Sequence, residues 1–402
     1  MSVEKKVPEV RFKGFSEAWV ENNLGELIDI RSAARVHKEK WTEAGVPFLR
    51  TSDVVSIYKG KENTKAYISH EVYNALSEKI GKVTKDDLLI TGGGSIGIPY
   101  LVLNDNPLYF KDADLLWLKN NKKINGYFLY TFFFSAPFIK HIKSISHTGT
   151  IAHYTIEQAK ATPINTCYDE EQTQIGNYFQ KLDALINQHQ QKHDKLSNIK
   201  KAMLEKMFPK PGETVPEIRF KGFSGEWEER EFSDIATRIS THHQSTLLPC
   251  VEYEDIVTGK GRLNKDIHQK KTFKAGLKFE SDDVLFGKLR PYLKNWFLAD
   301  FEGLAVGDFW VLRANNVAST FLFSLIQTNG FELISNLSAG SKMPRSDWGL
   351  VSSSCFFVPK NISESNEIGS YFQKLDALIN QHQQQITKLN NIKQACLSKM
   401  FV

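Results

Sequence analysis

The chain has 402 residues, of which 41% are apolar and 12% aromatic, with a net charge of +5 and four cysteines. That apolar content excludes wholesale disorder, and the length accommodates two or three domains with cores of their own. Cys167, Cys250, Cys355 and Cys396 show no C-x-x-C spacing, which argues against a zinc ribbon or a disulfide framework and fits a reducing cytoplasm.

In chain order, the start carries no apolar run of the signal-peptide kind. Val7-Pro-Glu-Val-Arg-Phe-Lys-Gly-Phe-Ser16 returns as Val215-Pro-Glu-Ile-Arg-Phe-Lys-Gly-Phe-Ser224. The first insert, about 17–168, reads as mixed and strand-rich. Val46–Leu49 is a strand ending at Arg50 and Thr51, and Val83–Ile90 is an Asp-Asp turn leading into an apolar strand. Thr91-Gly-Gly-Gly-Ser-Ile-Gly97 follows, with Ser95 near its tip. Phe128–His141 has the pattern of one amphipathic helix. The longest apolar stretch, Tyr127–Ile139, is roughly 13 residues, contains Pro137, and is too short to span a bilayer. A polar loop with His147, Thr148, Thr150 and His153 closes the insert.

Ile175–Phe208 then reads as a long helix, and Ile368–Phe401 matches it at 26 of 34 positions with a constant offset of 193. Phe179, Leu182, Ile186, His189 and Leu196 fall at a/d spacing, as do Phe372, Leu375, Ile379, His382 and Leu389, with the stripe slipping near Ile199 and Ile392. At 1.5 Å per residue such a rod is roughly 50 Å long. A seam this narrow needs a partner. The favoured one is the other copy in the same chain, antiparallel and at high effective concentration; the alternative is that each helix packs on its own domain. His189 and His382 read as buried, hydrogen-bonded seam residues that fix register, not as metal ligands. Phe208–Thr214 is a helix stop and linker. The second insert, about 225–360, repeats the pattern of the first: an Asp-Asp turn at Phe279–Phe286, a turn Gly287–Leu293, and an amphipathic helix at Phe321–Ser335.

Few of these residues point to catalysis. The glycine run lacks the Gly-Lys-Ser/Thr of a nucleotide-binding loop and has no glycine-rich counterpart in the second half. It reads as a turn between strands, alone or also touching a DNA backbone. No His-Glu-x-x-His, Gly-x-Ser-x-Gly or Asn/Asp-Pro-Pro-Tyr/Phe string occurs, the last being what an adenine methyltransferase needs to hold a flipped base. The basic residues are better placed than numerous. Lys288, Arg290 and Lys294 crowd one turn beside Tyr292, and Lys342 and Arg345 sit in Gly340–Ser346. Arg50, Thr51, Ser95, His147, Thr148, Thr150 and His153 are the candidates in the first half. Such loops carry the side chains that contact phosphates and base edges, although any one of them is ordinary solvated surface when taken singly.

Taken together, these motifs resemble the specificity subunit of type I restriction–modification enzymes over essentially the whole length. The resemblance rests on the repeated decapeptide with Trp19 and Trp227 after it, and on the twin helices ending in Lys-Met-Phe. It rests also on Asp283-Val-Leu-Phe-Gly-Lys-Leu-Arg-Pro-Tyr292, on Gly340-Ser-Lys-Met-Pro-Arg345 and on Asp87-Leu-Leu-Ile-Thr-Gly-Gly-Gly-Ser-Ile-Gly97. The Met-Pro-Arg pattern has no counterpart at His147–His153. The resemblance implies an α+β fold: two mixed α/β target-recognition domains separated by two long antiparallel coiled-coil helices, with a pseudo-twofold internal repeat. The domains would be 1–168 and 211–362, with 169–210 as central helix and linker and 363–402 as C-terminal helix. It further implies that each domain reads one half of a split site in double-stranded DNA and that the helices set the gap. The helices would also seat two methyltransferase subunits, through which restriction and translocation subunits join. The chain itself would hold no cofactor and no catalytic site; S-adenosylmethionine, ATP and magnesium belong to the partners. Two other classes stay open: a stand-alone DNA-modifying enzyme with an unusual site, and a coiled-coil adaptor that reads no DNA.

Overall fold

The computed structural model describes residues 6–146, 153–269, 274–337 and 343–402. Two compact units are present, Met1–Gln188 with Gln385–Val402, and His189–Gln384.

In the first unit an antiparallel sheet runs Asp29–Arg31, Leu115–Lys119, Leu88–Thr91, Pro99–Leu101. A second sheet runs Trp41–Thr42, Tyr67–Ile68, Val46–Leu49, Tyr109–Phe110, with the last two strands parallel. The second unit repeats the order of the first sheet, while in its second sheet the later strand of the parallel pair is internal and the earlier one lies at the edge. One sheet runs Ala236–Ile239, Phe309–Ala314, Val284–Gly287, Trp296–Leu298; the other runs His242–Gln244, Ala275–Phe279, Gly303–Ala305, Cys250–Val251, again with one parallel pair at the end. The Asp-Asp turns enter the two central strands as the sequence predicts. Asp86 and Asp282 both adopt a left-handed backbone at φ 71, which Asp tolerates better than most residues. Asp87 and Asp283 are buried behind them, Asp87 accepting from Trp117 Nε1 at 3.0 Å and Asp283 from Arg313 Nε at 2.8 Å. The central strands Leu88–Thr91 and Val284–Gly287 are buried on both faces, which explains their continuous apolar runs.

The single amphipathic helix expected in each half is two short helices. Gly126–Phe132 and Ala136–Ser146 replace it in the first unit, Ser319–Leu325 and Asn329–Ser335 in the second. Pro137 is harmless in the first turn of a helix, but inside a continuous one its ring would strike the carbonyl four residues back. In the second unit Thr328 takes an extended backbone and its hydroxyl accepts from Phe331 N, starting a new helix.

The long helices span Asp169–Lys206 and Ile362–Lys399, starting earlier than the repeats themselves. Within the first unit, Ile175, Phe179 and Leu182 share one core with Leu397, Met400 and Phe401. Within the second, Ile368, Phe372 and Leu375 share a core with Met207 and Phe208. The helices therefore run antiparallel and also pack on the domain beside them, so both packings foreseen for the seam occur at once. Equivalent ion pairs cross the pair: Lys393 Nζ to Asp183 Oδ1 at 2.5 Å, and Lys200 Nζ to Asp376 Oδ1 at 2.6 Å. His189 Nδ1 lies 2.9 Å from His382 Nδ1. The two rings are hydrogen-bonded as expected but only half-buried, a correction to the expected burial. Around them the helices carry Gln and Asn, and neither ring joins a hydrophobic core.

Candidate nucleic-acid interface

Thr51 and His153 in the first half, and Lys288, Arg290 and Arg345 in the second, meet on one backbone arrangement, built where the central strand of the buried sheet ends. In the first unit Gly92 N donates to the carbonyl of Asp114 at 2.8 Å, and Gly92 O accepts from Tyr154 N at 2.8 Å. Gly93 bridges His153, and the Thr51 hydroxyl donates to the Asp114 carbonyl at 3.2 Å. In the second unit Lys288 N donates to the carbonyl of Asp308 at 2.9 Å, and Lys288 O accepts from Ser346 N at 2.9 Å. Leu289 bridges Arg345, and the Tyr253 hydroxyl donates to the Asp308 carbonyl at 2.5 Å. The two platforms thus match bond for bond while their side chains differ. Leu289 N also donates to the Tyr253 hydroxyl, and burial raises the pKa of that phenol.

The glycine run has a packing reason in the first unit. A Cβ on Gly92 would lie 2.8 Å from the Tyr154 carbonyl, so the third segment of this platform would have to shift to admit one. The turn beyond is left-handed at Gly94, φ 70, and the same place in the second unit is Arg290 at φ 50.

The side chains divide into tied and free. Arg50 forks onto Asp53, with Nε and Nη2 each 2.8 Å from a carboxylate oxygen, and lies over the Trp41 ring. Burial opposes ionisation of Asp53, but the hydrogen bonds from Arg50 outweigh it and hold the carboxyl below its usual pKa. Thr51 is a prop of the platform. Ser95 and His153 are exposed at its rim. In the second unit Arg345 Nη2 reaches Asp308 at 3.1 Å and Lys288 Nζ reaches it at 3.6 Å. Lys294 turns aside to Glu332 at 2.7 Å. Arg290 is exposed with no side-chain partner among the described residues, and Tyr292, Leu293 and Met343 are exposed beside it. His147, Thr148, Thr150 and Lys342 lie outside the described residues.

Asp114 and Asp308 are the residues that sequence reasoning missed. Each lends its carbonyl to a platform and its carboxylate to a cation, Lys111 at 2.5 Å in one unit and Arg345 in the other. A lone aspartate before a strand carries no sequence signal for this. No cluster of three or more His, Cys, Asp or Glu side chains fit for a metal ion occurs among the described residues, and no helix there is long and apolar enough to cross a membrane.

Residues 16–198 match the type I restriction modification DNA specificity domain. A Haemophilus influenzae protein named as a type I restriction enzyme specificity subunit is 28% identical over 167 residues, 41% of this chain and 40% of that protein. The specificity subunit of the Escherichia coli type I restriction enzyme EcoDI is 24% identical over 178 residues, 42% of this chain and 40% of the relative. The aligned part thus spans about two fifths of each curated relative. In fold, the chain is similar to the crystal structure of a type I restriction–modification S subunit from M. genitalium, with a TM-score of 0.61, 15% identity, and coverage of 98% of this chain and 99% of that one. The family-model match is thus confined to residues 16–198, and over the whole chain the likeness is to the fold of that S subunit.

Proposed function

We propose that this chain is the DNA-reading subunit of a type I restriction–modification complex, with each platform reading one half of an asymmetric, split site in double-stranded DNA. The observation that carries this reading is the pair of platforms: one backbone scaffold, repeated, presenting Gly92, Gly94 and His153 in one unit and Lys288, Arg290 and Arg345 in the other. A scaffold held constant while its outward side chains change is what two different base sequences demand of two equivalent readers.

The near-identical helices fit a second role. Leu185 and Leu378, related by the offset of 193, are each exposed on a long helix. Equivalent surfaces suit two identical partners, here two methyltransferase subunits, with the restriction subunits joining through them. On this reading S-adenosylmethionine, ATP and magnesium are held by the partners, the chain contributes no catalytic group, and the complex works in the cytoplasm.

Single-molecule methylation mapping in a host expressing the chain with its methyltransferase partner tests the proposal. The expected result is adenine methylation at one split motif whose two halves differ. A palindromic motif, or methylation unaffected by deleting the chain, overturns it.

A further inference from the structure

Among the described cations of the second platform, Arg290 alone is both rigidly mounted and uncommitted. Arg345 and Lys288 share the carboxylate of Asp308, and Lys294 pairs with Glu332. Arg290 pairs with nothing among the described residues, and its side chain projects from a backbone fastened on both sides. Its N–H donates to the carbonyl of Pro344 at 2.8 Å, its carbonyl accepts from Leu293 N at 2.8 Å, and Pro291 follows it. The mounting is the opposite of what a merely solubilising surface charge has.

Its backbone is also costly. Arg290 sits at φ 50, in the left-handed region that an L side chain enters at some expense and glycine enters freely. At the same place in the first unit the residue is Gly94, φ 70. The turn itself therefore needs no arginine, and the side chain at 290 answers to something outside the turn. Tyr292, two residues on, and Met343, next to the Pro344 that accepts from Arg290 N, are both about half exposed and add apolar surface near this turn.

We infer that Arg290 is the specificity-determining residue of the second platform, donating two parallel hydrogen bonds to the O6 and N7 edge of one guanine in the major groove. The planar fork of an unpaired guanidinium matches that edge, and a cation already shared with a carboxylate does not. Lys288 and Arg345, held by Asp308, lie beside it as the charges that meet phosphates and set register. This inference rests on the proposed DNA-reading function and deepens it.

The test compares wild type, Arg290→Gly and Arg290→Lys, each as the full chain with its methyltransferase partner, by sequencing the duplexes retained from a randomised library. Arg290→Gly is the informative variant because glycine already fills this position in the first unit, so the turn is kept and the melting temperature should not fall. The expected result is a roughly 5- to 150-fold loss of preference for G·C at one position of one half-site, with the other half-site unchanged. Arg290→Lys should keep the salt dependence of binding while relaxing the same position. A uniform loss of affinity over all sequences, or no change in either half-site, overturns the inference while leaving DNA reading intact. Retention of no motif at all by the wild type sinks the proposed function itself.

Discussion

Arg11 grips Glu171 with both arms of its guanidinium, Nε to Oε1 at 2.6 Å and Nη2 to Oε2 at 2.7 Å, and Arg219 holds Glu364 at the same two distances. Each glutamate is buried in the first turn of a long helix. One residue before each arginine, the backbone reaches the end of the other long helix: Val10 N donates to the Lys399 carbonyl at 3.0 Å, and Ile218 N to that of Lys206 at 2.9 Å. The ring one residue after meets Tyr178 or Tyr371 edge-on. The repeated decapeptide is therefore a bracket that ties the start of one helix to the finish of its antiparallel neighbour. Two brackets are needed because the pair has two ends, which is the physical reason the motif occurs twice.

Removing one arm of the bracket should be costly. Arg11→Ala leaves the Glu171 carboxylate, fully buried, without its counter-charge, and a loss of about 3–5 kcal/mol is expected. Replacing both residues together by apolar ones of similar volume should recover most of it, because the desolvation cost vanishes with the charges. Denaturant titration of wild type, single and double variants gives the comparison. A single variant within about 1 kcal/mol of wild type would show that the bracket is decorative.

Gly176 and Gly369, related by the same offset of 193, are the contact points between each long helix and the short helix that sits on it. A Cβ on Gly369 would collide with the Thr320 hydroxyl and lie 2.6 Å from Phe321 N; one on Gly176 would collide with the side-chain Oδ1 of Asn125, which caps the helix Gly126–Phe132. Gly369→Ala should therefore destabilise the second unit by about 1–3 kcal/mol, as overpacking does. Gly330→Ala is the control: the added methyl meets nothing within 4 Å, and its helix should be unchanged or firmer by at most about 1 kcal/mol. Equal melting temperatures for the two alanine variants would refute the close-contact argument.

What could be read from the sequence follows from how local each feature is. The long helices were legible because a seam of Phe, Leu and Ile at helical spacing is written in consecutive turns, and the duplication wrote it twice. The Asp-Asp turns were legible for the same reason. The platforms were not, because each is closed by backbone hydrogen bonds between three segments far apart in the chain, Gly92 with Asp114 and Tyr154, or Lys288 with Asp308 and Ser346. Any residue type can make such bonds, so composition does not announce them. Arg50 illustrates the converse: its place at a strand end suggested a DNA contact, and the structure commits its guanidinium to Asp53 three residues on. Pro137 was visible in the sequence, yet whether it opens a helix or interrupts one depends on the packing around it.

The paired imidazoles give the helix pair an acid-sensitive joint. Partial burial holds the pKa of His382 below its ordinary value, and the charges of His189, Lys192 and His193 push the same way. The folded state thus disfavours the imidazolium, while the unfolded chain protonates at about 6.5. In the window below that value the unfolded chain binds more protons, so stability is complete above about pH 6.5 and falls as the solution is acidified. Melting temperatures measured between about pH 5.5 and 7.5 should drop on the acid side, and His382→Gln should flatten that drop relative to wild type. An unaltered slope in the variant would assign the acid sensitivity to other groups.

The strongest mechanical consequence of the proposed function concerns the gap between half-sites. Both long helices run unbroken through residues 188–189 and 384–385, and on the proposed reading their length sets the gap. Inserting one heptad into each helix beside His189 and His382 preserves the a/d phase, whereas an insertion of three or four residues would rotate the seam. Seven residues add about 10.5 Å of helix, against about 3.4 Å of axis per base pair of duplex. The unread gap should therefore lengthen by roughly three base pairs while both half-sites keep their sequence. Methylation mapping of the variant reads both quantities at once. An unchanged gap would reject the helices as the ruler, and altered half-site sequences would mean that the insertion had disturbed the readers instead of the distance between them.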